Sequence, residues 1–300
     1  MRRAALVLST ILSIAGTAFA TPREGFPSPG SIAELPAGDA PVPLLVLLHG
    51  DAQPPRVLFE AWHAAASARS VALVALACPK HAGCKGSFWQ WDGDPAWLDG
   101  ELAALEKERP VDRGRTWAAG WSGGASWMGF RMQAFAARFA ALVHWGGGIP
   151  PADPACGRDV PAYFLVGDAN PLHGLAVRLR DAHERCGHEV LWDLVRGADH
   201  AGEQRALSRA KADAILAWLM AHPRTAPDLS AAAPAPPPPA PPATTPSTPA
   251  APAATAASAP PSTRCACQAA PLALLALAFA QRRQRGGGGR STPVAGSGSH

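Results

Sequence analysis

The sequence is sparing in features that mark several large classes of protein. Its apolar stretches at residues 4–15 and 272–280 are shorter than the roughly 20 residues a membrane-spanning helix needs. The formal net charge is only +4, and no long basic run interrupts the periodic segments. A nucleic-acid partner is therefore not expected. No Cys/His spacing suggests a ligand set, so neither a metal nor a cofactor is expected. Asp92-Gly93-Asp94, two carboxylates flanking a glycine, reads as a solvated turn rather than a cation site.

What is present points first to export. Residues 1–20 combine Arg2 and Arg3, a short apolar stretch and Ala18-Phe19-Ala20, which fits the small-x-small cleavage pattern of a signal peptide. Six cysteines suit an oxidising compartment. Cys78 and Cys84 lie close in sequence, and Cys156 with Cys186 offers a second bridge; four buried free thiols are the alternative.

Residues 21–40 read as an N-terminal extension, and the periodic segments occupy residues 41–222. Apolar runs at 43–48, 71–77, 115–119, 141–145, 162–166 and 190–195 suit strands buried on both faces. Helical patterns at 58–68, 94–108, 126–139, 172–186 and 203–221 separate them. That alternation implies an α/β three-layer sandwich: a mostly parallel sheet of about six strands with helices on both faces. Ligands in such sheets bind at the carboxyl ends of the strands.

Residues 223–263 are different. Thirteen of the 32 prolines fall within 226–263, and proline both fixes φ and removes a backbone donor, so an extended solvated linker is expected. Beyond it come Cys265-Ala266-Cys267, the apolar run and the cluster Arg282, Arg283 and Arg285. This tripartite segment, 264–285, resembles the MYXO-CTERM sorting domain of myxobacteria. The resemblance implies processing near the cysteines and retention at the cell surface. Such segments normally stop soon after the arginines, whereas here residues 286–300 continue as an expected disordered tail.

The chemistry starts at Gly120-Trp121-Ser122-Gly123-Gly124, a G-x-S-x-G pattern lying between a strand and an amphipathic helix. A sharp strand-to-helix turn needs Gly120 and Gly124, because side chains there would collide with neighbouring backbone, and it lifts the serine hydroxyl above the sheet. Ser122 is a poor nucleophile without a base beside it. Asp199-His200-Ala201 follows the last strand and supplies one, with His200 on a loop.

These residues resemble the α/β-hydrolase superfamily over most of 41–222, and within it the small exported esterases and polyhydroxybutyrate-depolymerase-like enzymes. The resemblance implies an oxyanion loop at His49-Gly50-Asp51, with the backbone N–H groups of Asp51 and Gly123 as donors. It also implies the chain order serine, acid, histidine. The acid stays open. The strand at 162–166 ends in Gly167-Asp168-Ala169-Asn170, and many relatives carry the carboxylate where Asn170 stands. An amide there is a poor substitute: in a serine protease the Asp-to-Asn change costs about 10⁴ in turnover. Asp168 is the leading choice; Asn170 acting weakly, or Asp153 reaching in, are the others, and Asp168 could also be only a turn residue.

Trp89, Trp91, Trp121 and Trp145 border the same strand ends and could wall an acyl-binding cleft, or simply fill the core. Only residues 146–161 separate two strands where larger relatives insert a helical lid, so a minimal lid and an open site are expected. The reading is an exported serine hydrolase of carboxylic esters, polymeric or bulky ones included, monomeric and held at the cell surface. A surface binding protein that lost catalysis and a serine peptidase are the rivals.

Overall fold

The apolar runs become parallel strands because both faces of the sheet are covered. In the computed structural model, residues 21–89, 93–151 and 155–224 are described, and all fall within one unit. The signal, residues 225–263 of the linker, the sorting segment, the tail, Trp91, Asp92 and Asp153 lie outside the described residues. Six strands, β3 (Val42–Leu48), β4 (Ala72–Leu76), β5 (Val111–Trp121), β6 (Leu142–Trp145), β7 (Ala162–Gly167) and β8 (Val190–Val195), pair in parallel in the order β4-β3-β5-β6-β7-β8.

Alternate residues of each strand feed different layers. Leu45, Leu47, Leu73, Ala75 and Val143 pack with α1 (Pro55–Ala68) and α7 (Arg209–Met220). Leu44, Val46, Leu48, Val74 and Leu142 pack with α2 (Trp97–Glu108), α3 (Gly123–Phe130) and α4 (Met132–Arg138). Phe164 and Val166 of β7 meet α5 (His173–Arg185). With period-2 side chains and no solvated face, a strand has no polar alternation to show.

Three local features differ from the sequence expectation. Residues 21–40 are not outside the sheet: β1 (Arg23–Glu24) and β2 (Ile32–Glu34) add two short antiparallel strands at the β4 edge. A three-residue strand is too short for a periodic signal. The helix expected over 126–139 breaks at Arg131 into α3 and α4. The helix expected over 203–221 is two helices, α6 (His200–Ala206) and α7, and Ser208 caps the second through the Lys211 amide. Cys78 is bridged to Cys84 and Cys156 to Cys186, with Cα separations of 5.9 and 5.1 Å. Between β6 and β7, the described residues 146–151 and 155–161 form no helix or strand.

Candidate active site

β5 runs directly into Ser122, which adopts φ 52° and ψ −110° before α3 begins. A non-glycine residue with positive φ is strained, and such strain persists only when its surroundings enforce it. Here the Ser122 amide donates to the Trp145 carbonyl at 2.9 Å, and the Gly124 amide to the His49 carbonyl at 3.1 Å. A Cβ on Gly120 would lie 2.6 Å from the Ala125 nitrogen, and one on Gly124 would lie 2.7 Å from the His49 oxygen. Both glycines are steric requirements of the turn.

His200 opens α6 instead of lying on a loop. Asp199 is the N-cap, accepting from the Gly202 amide at 2.7 Å, an interaction typically worth ~1 kcal/mol. The turn so fixed carries His200 Nε2 to 2.8 Å from Ser122 Oγ. Residues 78 positions apart are thus within proton-transfer reach.

The carboxylate behind the histidine is Glu203. Its Oε2 lies 3.0 Å from His200 Nδ1, on the same helical face one turn further on. Glu203 is only 1% exposed. Its Oε1 accepts from the Gly167 amide at 2.6 Å, and Oε2 also accepts from Asn170 Nδ2 at 2.6 Å. A buried carboxylate is tolerable when donors converge on it, and here three do. With Nδ1–H donating to Glu203, the other ring nitrogen presents its lone pair to the Ser122 hydroxyl.

The structure places the carboxylate expected beside His200 elsewhere. Asp168 Oδ1 accepts from the Gly197 amide at 2.5 Å, holding a turn against β7 rather than meeting the imidazole. Asn170 does reach the site, but its role there is to donate to Glu203. Its own Oδ1 accepts from the Leu172 amide at 2.9 Å, which fixes the Nδ2 direction, and Nδ2 stands 3.2 Å from His200 Nδ1. The signal that could have found Glu203 is the His-x-x-Glu spacing of residues 200–203, which places both side chains on one face only if the helix starts at His200.

The proposed substrate-facing tryptophans are core residues. Trp89, Trp121 and Trp145 are only 3%, 2% and 2% exposed. Trp89 packs against His49 and Trp127, each with ring centroids 5.1 Å away. Trp121 packs on Trp145 at 4.4 Å and lies flat against the His200 ring at 4.6 Å, the planes 6° apart. Trp145 donates its Nε1–H to the Glu203 carbonyl at 2.8 Å. Burial, not a cleft, explains why these aromatics gather at the strand ends.

On the other side of Ser122, the loop after β3 is pinned by two side chains. His49 Nδ1 meets the Gly50 carbonyl at 2.8 Å and its Nε2 accepts from the Cys78 amide at 3.2 Å, so this histidine ties β3 to β4. Its burial holds it below the usual imidazole range, the Gly50 contact opposing. Asp51 Oδ1 accepts from the Trp89 amide at 2.7 Å, and its carboxylate lies against Gly123, where a Cβ would collide with it. Burial raises the Asp51 carboxyl above its ordinary range, with the Trp89 bond pulling the other way. No cluster of metal-ligating side chains occurs among the described residues.

No family model and no curated protein matches the chain. Solved structures do. An S-formylglutathione hydrolase (FrmB) from Staphylococcus aureus superposes with a TM-score of 0.51 at 14% identity, covering 69% of this chain and 99% of that one. A truncated carbohydrate esterase from gut microbiota gives 0.51 at 11% identity, covering 70% and 98%. At such identities the likeness speaks for architecture alone, and together with the strand order and the strained serine turn it leads to one conclusion: the chain has the α/β-hydrolase fold.

Proposed function

We propose that this protein is an exported serine hydrolase that cleaves carboxylic esters through an acyl-enzyme on Ser122. The observation that carries the reading is the relay from Ser122 Oγ to His200 Nε2 at 2.8 Å and from His200 Nδ1 to Glu203 at 3.0 Å.

Ser122 Oγ attacks the ester carbonyl carbon while His200 Nε2 takes its proton, giving a tetrahedral oxyanion and an imidazolium. The backbone N–H groups of Asp51 and Gly123 are the proposed donors to that oxygen. Glu203 offsets the imidazolium charge, which forms at a helix N-terminus where the peptide dipoles disfavour a cation. Collapse breaks the bond to the alcohol, which leaves with the proton from His200. Water then attacks the acyl-enzyme, with His200 taking its proton and returning it to Ser122 Oγ, and the carboxylic acid departs.

Two exposed side chains support bulky or apolar esters, polyesters included. Phe88 precedes Trp89, whose amide holds Asp51, and Ile149 lies two residues after Gly147, which packs against Ser122; both are exposed. An amide as the sole partner of His200 would suit a binding protein without catalysis; the Glu203 carboxylate beside His200 argues against that reading. Export rests on the signal-like residues 1–20 and the two disulfides, and surface retention on the tripartite segment 264–285.

A fluorophosphonate probe tests the reading. Wild-type protein is expected to label and to hydrolyse short-chain nitrophenyl esters, and Ser122→Ala to do neither; wild-type protein that never labels would sink the proposal. Polyhydroxyalkanoate film and peptide anilides then separate polyester, small-ester and peptide substrates.

A further inference from the structure

Trp121 occupies the variable position between the first glycine and the serine of the motif, where nothing about the turn requires an aromatic residue. Its placement is nonetheless tightly enforced. A Cβ on Gly50 would lie 2.6 Å from Trp121 Cδ1, and one on Gly146 would lie 2.7 Å from Cη2. The indole therefore sits in a slot that two glycines leave open, one after β3 and one after β6. Trp145 packs on it at 4.4 Å, and His200 lies flat against its face, 4.6 Å away and 6° from coplanar.

We propose that Trp121 is a positioning residue for His200: its indole face fixes the imidazole plane and stabilises the imidazolium that forms as Ser122 gives up its proton. The inference rests on the reading of Ser122 and His200 as nucleophile and base. Three physical points carry it. A cation within about 6 Å of an indole centroid is attracted by the negative face of the ring, more strongly where water is excluded. Trp121 is fully buried, so water does not screen its side of the contact. The neutral ring gains little from this field, so the stabilisation belongs to the transition state and not to the bound ester. The same flat contact also resists rotation of the imidazole away from Ser122 and Glu203.

Trp145 completes the arrangement from below. Its Nε1–H bond to the Glu203 carbonyl holds the helical turn that carries both His200 and Glu203. The two tryptophans at adjacent strand ends thus grip base and acid together.

The test uses the full chain and nitrophenyl esters. Biosynthetic replacement of tryptophan by fluorotryptophans of increasing fluorine content weakens the π face while leaving the indole nearly unchanged in size. Expected is a stepwise fall in kcat, about three- to tenfold across the series, with KM unchanged. Trp121→Phe should retain part of the activity and Trp121→Leu less, and the fluorine dependence should vanish in the Trp121→Phe background. A flat kcat across the series, or a dependence that persists in Trp121→Phe, overturns the proposal. Ser122→Ala separates the two levels: if it is inactive while the series is flat, only the role of Trp121 falls; if it stays active, the serine reading and the role of Trp121 fall together.

Discussion

β6 places two histidine neighbourhoods back to back. On one face, Trp145 supports the turn in which His200 meets a serine hydroxyl and a carboxylate. On the other, the preceding residue His144 is packed against Phe164 at 4.8 Å and His183 at 5.6 Å. His183 Nδ1 and His188 Nδ1 are 2.9 Å apart, so one donates and the other accepts, and the accepting ring must be neutral. Burial pushes His144 down to about 3, against an opposing pull from the Ala125 backbone. Burial likewise holds His183 well below its ordinary value, helped by the neighbouring His144 and His188. His188 is lowered by burial, with Asp159 pulling up and Arg158 pushing down. His144, His183 and His188 are buried, whereas His200 is partly exposed and has a carboxylate, Glu203, within hydrogen-bond distance at 3.0 Å. What distinguishes the two is their partners: a hydroxyl and a carboxylate at His200, and aromatic rings and other imidazoles at His144 and His183.

The comparison breaks most visibly at Glu203. Glu203→Gln keeps the side-chain volume and removes the charge, and kcat for nitrophenyl esters is expected to fall about 10³–10⁴-fold, as for loss of a triad carboxylate elsewhere. A fall of less than tenfold would mean that His200 works without it.

Next in size is an acid instability on the other face. Histidines lowered in the folded state bind fewer protons than in the unfolded chain below about pH 6.5. Their contribution is therefore complete above that pH and is lost as pH falls, for His144 across the window from 6.5 towards 3. Each fully neutral histidine contributes a slope approaching about 1.4 kcal/mol per pH unit. Urea unfolding of wild type and His144→Phe between pH 7 and pH 4.5 should show a steeper decline in wild type. Parallel curves would show that His144 is protonated without penalty.

Trp145→Phe keeps the ring and removes the bond to the Glu203 carbonyl; a loss of about 1–2 kcal/mol in stability is expected, read by denaturant midpoint. Smallest is Asp168→Asn. It retains an acceptor for the Gly197 amide, so stability should change by less than about 1 kcal/mol and turnover should stay within twofold. A large loss of turnover there would return the acid to Asp168.

Much of the fold was legible because a parallel sheet covered on both faces writes itself as continuous apolar runs, and 43–48 and 162–166 were of that kind. The edge pair β1 and β2 was not, since five residues shared between two strands carry no period. The serine turn was legible because its glycines are demanded locally by backbone contact. The carboxylate beside His200 escaped the sequence reading for a physical reason. Asp168 and Asn170 stand where a carboxylate is expected along the chain, while Glu203 reads as the first residue of the helical pattern at 203–221. Only when Asp199 caps the helix one residue before His200 does Glu203 swing under the imidazole.

Periodicity alone indicated the parallel strands and their helical connections; the serine turn came from its glycine motif, and the late histidine from its place after the last strand and the chain order that the resemblance implies. The tertiary structure decided which carboxylate faces His200 and on which side of the protein surface the tryptophans lie. Both depend on how α6 seats against β6 and β7, a rigid-body relation among distant segments that no local pattern of residues encodes.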